Sequence, residues 1–194
     1  MSKSKKGKRR QTKKADSNFL KKWWDGQQKR KHILKFGLAL IVIMAIYFSF
    51  SYSVFFEHYI NFPIISSYAH VGNILFNLFG LETIVEETYI KNSLFTMNIG
   101  KGCDAVSPTI LFMAAILIYP TDFSNKWKWL LISPFAFALL NLIRIISLFL
   151  IGSYVPSIFD FAHTEFWQGV FILITILAWF YWLISILNKG KGKH

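Results

Sequence analysis

Polar and charged residues dominate the chain up to Lys31, and apolar residues then run almost unbroken from Ile33 to about Ser53. That run is roughly 20 residues, enough at about 1.5 Å per residue to cross a hydrocarbon core of about 30 Å. A secretory signal has a shorter apolar core and a small-residue cleavage site. Ser51 and Ser53 imitate such a site only weakly, and bulky Phe55 and Phe56 follow, so the run predicts an uncleaved anchor. Three further stretches are apolar enough to span, about 104–119, 129–151 and 167–187. Within the segment 54–103, residues 62–81 (FPIISSYAHVGNILFNLFGL) carry Pro63, His70, Asn73 and Asn77, with apolar residues at Ile74, Leu75, Leu78 and Phe79. This helical spacing predicts an amphipathic helix lying in the outer interface rather than a lipid-exposed crossing. The fold class expected is all-α: a polytopic membrane helix bundle with about four transmembrane helices plus that interfacial helix.

Composition agrees, with 54% hydrophobic and 18% aromatic residues among 194. The net charge of +12 adds topology, because it is unevenly placed. Lys3 to Lys35 hold 14 of the 22 basic residues against Asp16 and Asp25, so this stretch alone gives 14 − 2 = +12. The segment 1–32 therefore reads as a disordered cytoplasmic tail. Because it runs straight into a span, anionic lipid headgroups are the expected partner and nucleic acid is not. With four spans, the loop holding Lys126 and Lys128 and the tail 189–194 with Lys189, Lys191 and Lys193 share the cytosolic side, whereas five spans would put them outside. Both termini are thus expected inside, around a transmembrane domain over 33–188. Glu82, Glu86 and Glu87 then lie in an outer loop, as do residues 154–166.

That orientation brings three unusual residues to one side. Cys103, the only cysteine, stands at the head of the second span; Arg144 lies in the third, seven residues before Ile151 and so about 10 Å below the outer end; His163 opens the fourth. Each has a plain structural reading: a packing cysteine, a snorkelling arginine, a histidine of the aromatic belt beside Trp167. Together they permit acyl transfer, with a thiolate attacking a carbonyl, an imidazole moving protons and a cation steadying the oxyanion. An unpaired arginine at a helix centre costs about 2.5–3.5 kcal/mol even on insertion scales, which favours a functional reading of Arg144. His58 and His70 lie on the same outer side as alternative imidazoles. The start of a helix favours thiolate at Cys103, although Asp104 opposes it. Ser107, at i+4, would share the face of Cys103, and Asn141, Arg144 and Ser147 form a polar stripe expected to face inward. One cysteine and scattered histidines give no metal-ligand spacing, and neither a glycine-rich phosphate loop nor a GxSxG elbow is present, so no metal or cofactor is expected. An intrachain disulfide is excluded.

The order of GCDAVSPTILF, NLIRIISL and AHTEFWQG, with Cys, N-x-x-R and His at successive spans, resembles the exosortase/archaeosortase family, and the chain length resembles its short F-type exosortases. The likeness covers about residues 100–187. It implies a cysteine transpeptidase or protease of the bacterial inner membrane, with its site facing the periplasm, acting on exported proteins that carry a C-terminal sorting signal of short motif, transmembrane helix and basic cluster. Under it Cys103 would form the thioester, Arg144 would hold the oxyanion or a carboxylate, and His163 would carry the proton. Many relatives have Cys-Ser-Gly where this chain has Cys103-Asp104-Ala105, and about eight spans rather than four. Hydrolysis without transfer is a narrower variant, and a non-catalytic subunit or anionic-lipid or partner binder using Arg144 is the alternative from another class.

Overall fold

A computed structural model describes residues 30–191. The first 29 residues of the predicted 1–32 tail, and 192–194 of the second tail, lie outside the described residues. The chain divides into two compact units, Met1–Val42 and Ile43–His194. In the first, the described residues are helical, with Ile33, Leu34, Leu38 and Ile41 exposed. They belong to helix α1, Arg30–Ser51, whose 22 residues amount to about 33 Å.

The second unit continues with a short helix α2, Val54–Phe56, capped by Ser53, whose hydroxyl accepts from Phe56 N. A π-helical turn, Glu57–Asn61, leads into α3, Phe62–Leu78. The widened turn falls just before Pro63, which has no N–H for the preceding turn. Along α3 the buried positions are Ile65, Ala69, Gly72 and Phe76, a clean helical stripe. The apolar residues Ile74, Leu78 and Phe79 remain exposed, so α3 keeps an open apolar face besides its packed one.

Within the mostly helical chain, residues 84–98 form a small three-stranded antiparallel sheet. Its strands are β1, Ile84–Glu86, β2, Tyr89–Lys91, and β3, Thr96–Asn98, in the order β1-β2-β3. Glu87, at φ 56°, makes the first turn. Asn92 makes the second, its Oδ1 accepting from Leu94 N and Phe95 N. The sheet lies on α3 and on the helix that holds Gly152: a Cβ on Gly72 would sit 3.2 Å from Ile90 Cδ1, and Phe95 packs its ring onto Gly152.

Then come α4, Val106–Ile118, α5, Trp127–Tyr154, a short α6, Phe159–Phe161, a second π-helical turn, Ala162–Phe166, and α7, Trp167–Lys191. Three helical stretches, Arg30–Ser51, Phe123–Tyr154 and Pro156–Asn188, are long and apolar enough to cross a membrane. The second expected span, 104–119, is the exception: α4 has 13 residues, about 20 Å. Pro120 stops it, because the residue before a proline avoids the α region, and Tyr119 indeed has ψ 130°. Lys126, counted in the sequence as a topology signal, buries its ammonium against the end of α4 and donates to Leu117 O at 2.8 Å. Since α4 and α5 share that hairpin, the head of α4 meets the middle of α5 and not its far end. Phe112, Phe149, Phe76 and Trp182, each nearly sealed from solvent, knit the bundle.

Candidate active site

Residues 99–105 carry the thiol in a tight loop. Gly102 has φ 90° and Ala105 φ 57°, while Cys103 N donates to Gly100 O at 3.1 Å. Cys103 therefore precedes α4 by three residues, outside the helix, so it neither sits at the helix start nor shares a helix face with Ser107 at i+4. Ser107 is committed elsewhere, its hydroxyl 3.1 Å from the Tyr47 hydroxyl. Ala105 stands in the left-handed region, which only glycine adopts without a Cβ penalty.

Helix α5 grips the loop from below. Asn141, fully buried, donates from Nδ2 to Cys103 O at 2.6 Å. One turn on, Arg144 Nη1 donates to Gly102 O at 3.3 Å, and its guanidinium carbon lies 5.8 Å from the centre of the Phe171 ring. Two successive carbonyls are thus held by two residues three apart on one helix face. Two atoms are left over, both buried: Asn141 Oδ1 and Arg144 Nε make no well-formed hydrogen bond, the Tyr68 hydroxyl interacting with Asn141 without reaching that geometry. Ser147, the third residue of the stripe, turns back on its own helix and donates to Arg144 O at 2.8 Å.

His163 arrives from the π-helical turn that precedes α7. Its Nε2 is 3.7 Å from Cys103 Sγ, and its ring stacks on Phe159 with centroids 5.8 Å apart and planes 13° apart. The widened turn matters because such bulges re-aim side chains within otherwise regular helices. The two other outer histidines stay away: His58 packs on Tyr59, and His70 bonds to Ser66 O within α3; both are exposed.

Cys103 is 8% exposed. Burial pushes its thiol above the ordinary range; the Arg144 charge pulls the other way, Asp104 pushes up, and the Gly100 contact pulls down, leaving it raised. The resting form is accordingly the thiol, and a base must take its proton. The Asp104 carboxyl, also buried, is raised chiefly by desolvation, although its Oδ1 accepts from Val106 N at 3.0 Å.

Beside the thiol opens a cavity of about 260 Å³ lined by Phe95, Thr96, Met97, Asn98, Ile99, Ile145, Leu148, Phe159, Cys103 and His163. The contribution of β3 was missed from sequence, yet a signal existed: in FTMNIG, apolar Phe95, Met97 and Ile99 alternate with polar Thr96 and Asn98, the period of a strand. Among the described residues, no three His, Cys, Asp or Glu side chains converge as a metal site.

A family model described as "Transmembrane exosortase (Exosortase_EpsH)" matches residues 27–182. No curated protein and no solved structure matches the chain. The matched stretch takes in the thiol loop, the α5 carbonyl grip and the imidazole turn, and the chain belongs to the transmembrane exosortase family.

Proposed function

We propose that this membrane protein is a cysteine transpeptidase or protease that cleaves and sorts exported proteins bearing a C-terminal sorting signal, working from the extracytoplasmic side of a bacterial inner membrane. The observation that carries the reading is the 3.7 Å approach of Cys103 Sγ to His163 Nε2, beside a cation whose charge favours the thiolate. His163 takes the thiol proton as Sγ attacks the substrate carbonyl. The tetrahedral oxyanion draws on Arg144. The C–N bond then breaks, and His163 returns the proton to the leaving amine, so that a thioester remains on Cys103. An acceptor nucleophile, or water, attacks the thioester and releases the thiol unchanged. Arg144 Nη1 donates to Gly102 O, next to the thiol, and its charge lowers the thiol pKa, so the guanidinium is tied to the cysteine loop and no separate observation favours the headgroup-binding alternative. Lipid contact remains assigned to the basic tail, and both termini to the cytosol.

The test is co-expression with an exported protein ending in an apolar helix and a basic cluster. Cys103→Ala should insert normally, abolish processing and remove a thioester-linked product found by mass spectrometry on the wild type. Processing that persists in Cys103→Ala refutes the mechanism.

A further inference from the structure

Thr96 and Asn98 of β3 line the cavity that holds the thiol, and among the described residues their main-chain groups lack partners. In the antiparallel ladder, Ile90 faces Met97, Ile99 N donates to Thr88 O and Asn92 N donates to Phe95 O. Residues 95, 97 and 99 therefore turn their N–H and C=O toward β2, and by alternation Thr96 and Asn98 turn theirs to the opposite edge. Among the described residues, no group bonds those N–H and C=O groups, and both residues are exposed. The outer edge on the other side is capped at one end. Just before β1, the Asn77 amide donates to Thr83 O and accepts from Thr83 N, tying that end of the sheet to α3. A bare edge invites pairing with another strand, and proteins ordinarily blunt such edges unless they are used.

We propose that this edge is the docking rail for the substrate: an extended polypeptide segment pairs its backbone with Thr96 and Asn98 and so carries its scissile carbonyl to Cys103 Sγ. The inference rests on the reading of Cys103 as nucleophile and adds where the substrate lies. Main-chain pairing supplies affinity, and alternate side chains supply selectivity. The inward-facing ones meet Met97, Ile145, Leu148 and Phe159, so a small apolar residue fits beside the scissile bond. At about 260 Å³ the cavity admits a narrow extended stretch and no folded element. The rail also accounts for Phe95, whose ring is wedged between Phe149 and Phe159 and against Gly152, fixing the start of β3 over α5.

The experiment uses the full chain in detergent and two reagents: acetyl-tetra-alanyl chloromethyl ketone, from which Sγ displaces chloride, and iodoacetamide, which needs no docking. Labelling of Cys103 is timed by mass spectrometry. Four versions of the peptide reagent, each N-methylated at one alanine, probe the backbone without altering the protein. The expected result is about tenfold slower labelling when alternate alanines are methylated and little change for those between, as the loss of one or two main-chain bonds gives. Thr96→Pro and Asn98→Pro remove the outward N–H groups, the second also the side chain that accepts from Thr88 Oγ1, and should slow the peptide reagent similarly and leave iodoacetamide unaffected. Equal labelling by all N-methylated versions overturns the rail, even if Cys103 is reactive and required for processing. A Cys103 inert to both reagents in the folded protein but labelled after unfolding overturns the nucleophile reading and the rail with it.

Discussion

Gly152 offers the sharpest test of how the site is built. A methyl group added there would lie 2.3, 2.4 and 2.7 Å from three atoms of the Phe95 ring, against about 3.5–4.0 Å for ordinary carbon contacts. The ring must retreat by about 1 Å or more, yet Phe149 and Phe159 flank it at 6.0 and 5.3 Å between centroids. Overpacking of this kind costs about 1–3 kcal/mol. Gly to Ala in a helix interior returns about 0.5–1 kcal/mol, so Gly152→Ala should destabilise by about 0.5–2 kcal/mol. Phe95→Leu removes the colliding ring end, and Gly152→Ala placed on that background should be neutral or stabilising. The coupling between the two should therefore be about 1–2 kcal/mol. Unfolding in mixed micelles with rising SDS, followed by fluorescence of the seven tryptophans, measures all four corners of the cycle. Additive effects would refute the account, because they would mean that the ring does not bear on Gly152.

Other expectations follow from the loop and its grip. Asn141→Ala leaves the buried Cys103 carbonyl without its donor and should cost about 1–3 kcal/mol in the same unfolding assay while changing the rate of Cys103 alkylation. That rate should rise with pH through a midpoint above that of an ordinary thiol, and Arg144→Gln, which removes the charge that lowers it, should move the midpoint higher still; an unmoved midpoint would show that the guanidinium does not act on sulfur. For Asp104 the folded carboxyl is raised, so the folded state holds its proton more tightly. Stability is then full below the ordinary carboxylate range and falls as pH rises through the folded value. Asp104→Asn, which keeps an acceptor for Val106 N, should stabilise at neutral pH and flatten that dependence. Ala105→Gly relieves a left-handed alanine at φ 57° and should stabilise by up to about 1 kcal/mol, where destabilisation would mean that the conformation is not strained.

Hydropathy and charge are properties of a stretch of chain, and they carried far. The long apolar helices ending near Ser51, Tyr154 and Asn188 follow from local composition, and so do the three segments that bear Cys103, Arg144 and His163. The Asn141–Arg144 pair was legible too, because three residues along a helix share a face whatever surrounds it. What lay beyond the sequence depends on partners distant in the chain. The length of α4 against α5 decides that the thiol loop meets the middle of α5; helix crossing decides that His163, and neither His58 nor His70, comes to sulfur; and Tyr47 takes Ser107 away from it. Strands of three residues are too short for their alternation to stand out from chance, so the sheet over 84–98 forms only because α3 and α5 give it a surface to cover. A side chain's type is written locally, but what it faces is fixed by the packing of segments 38 to 60 residues apart, as in the bonds that join Cys103 to Asn141 and to His163.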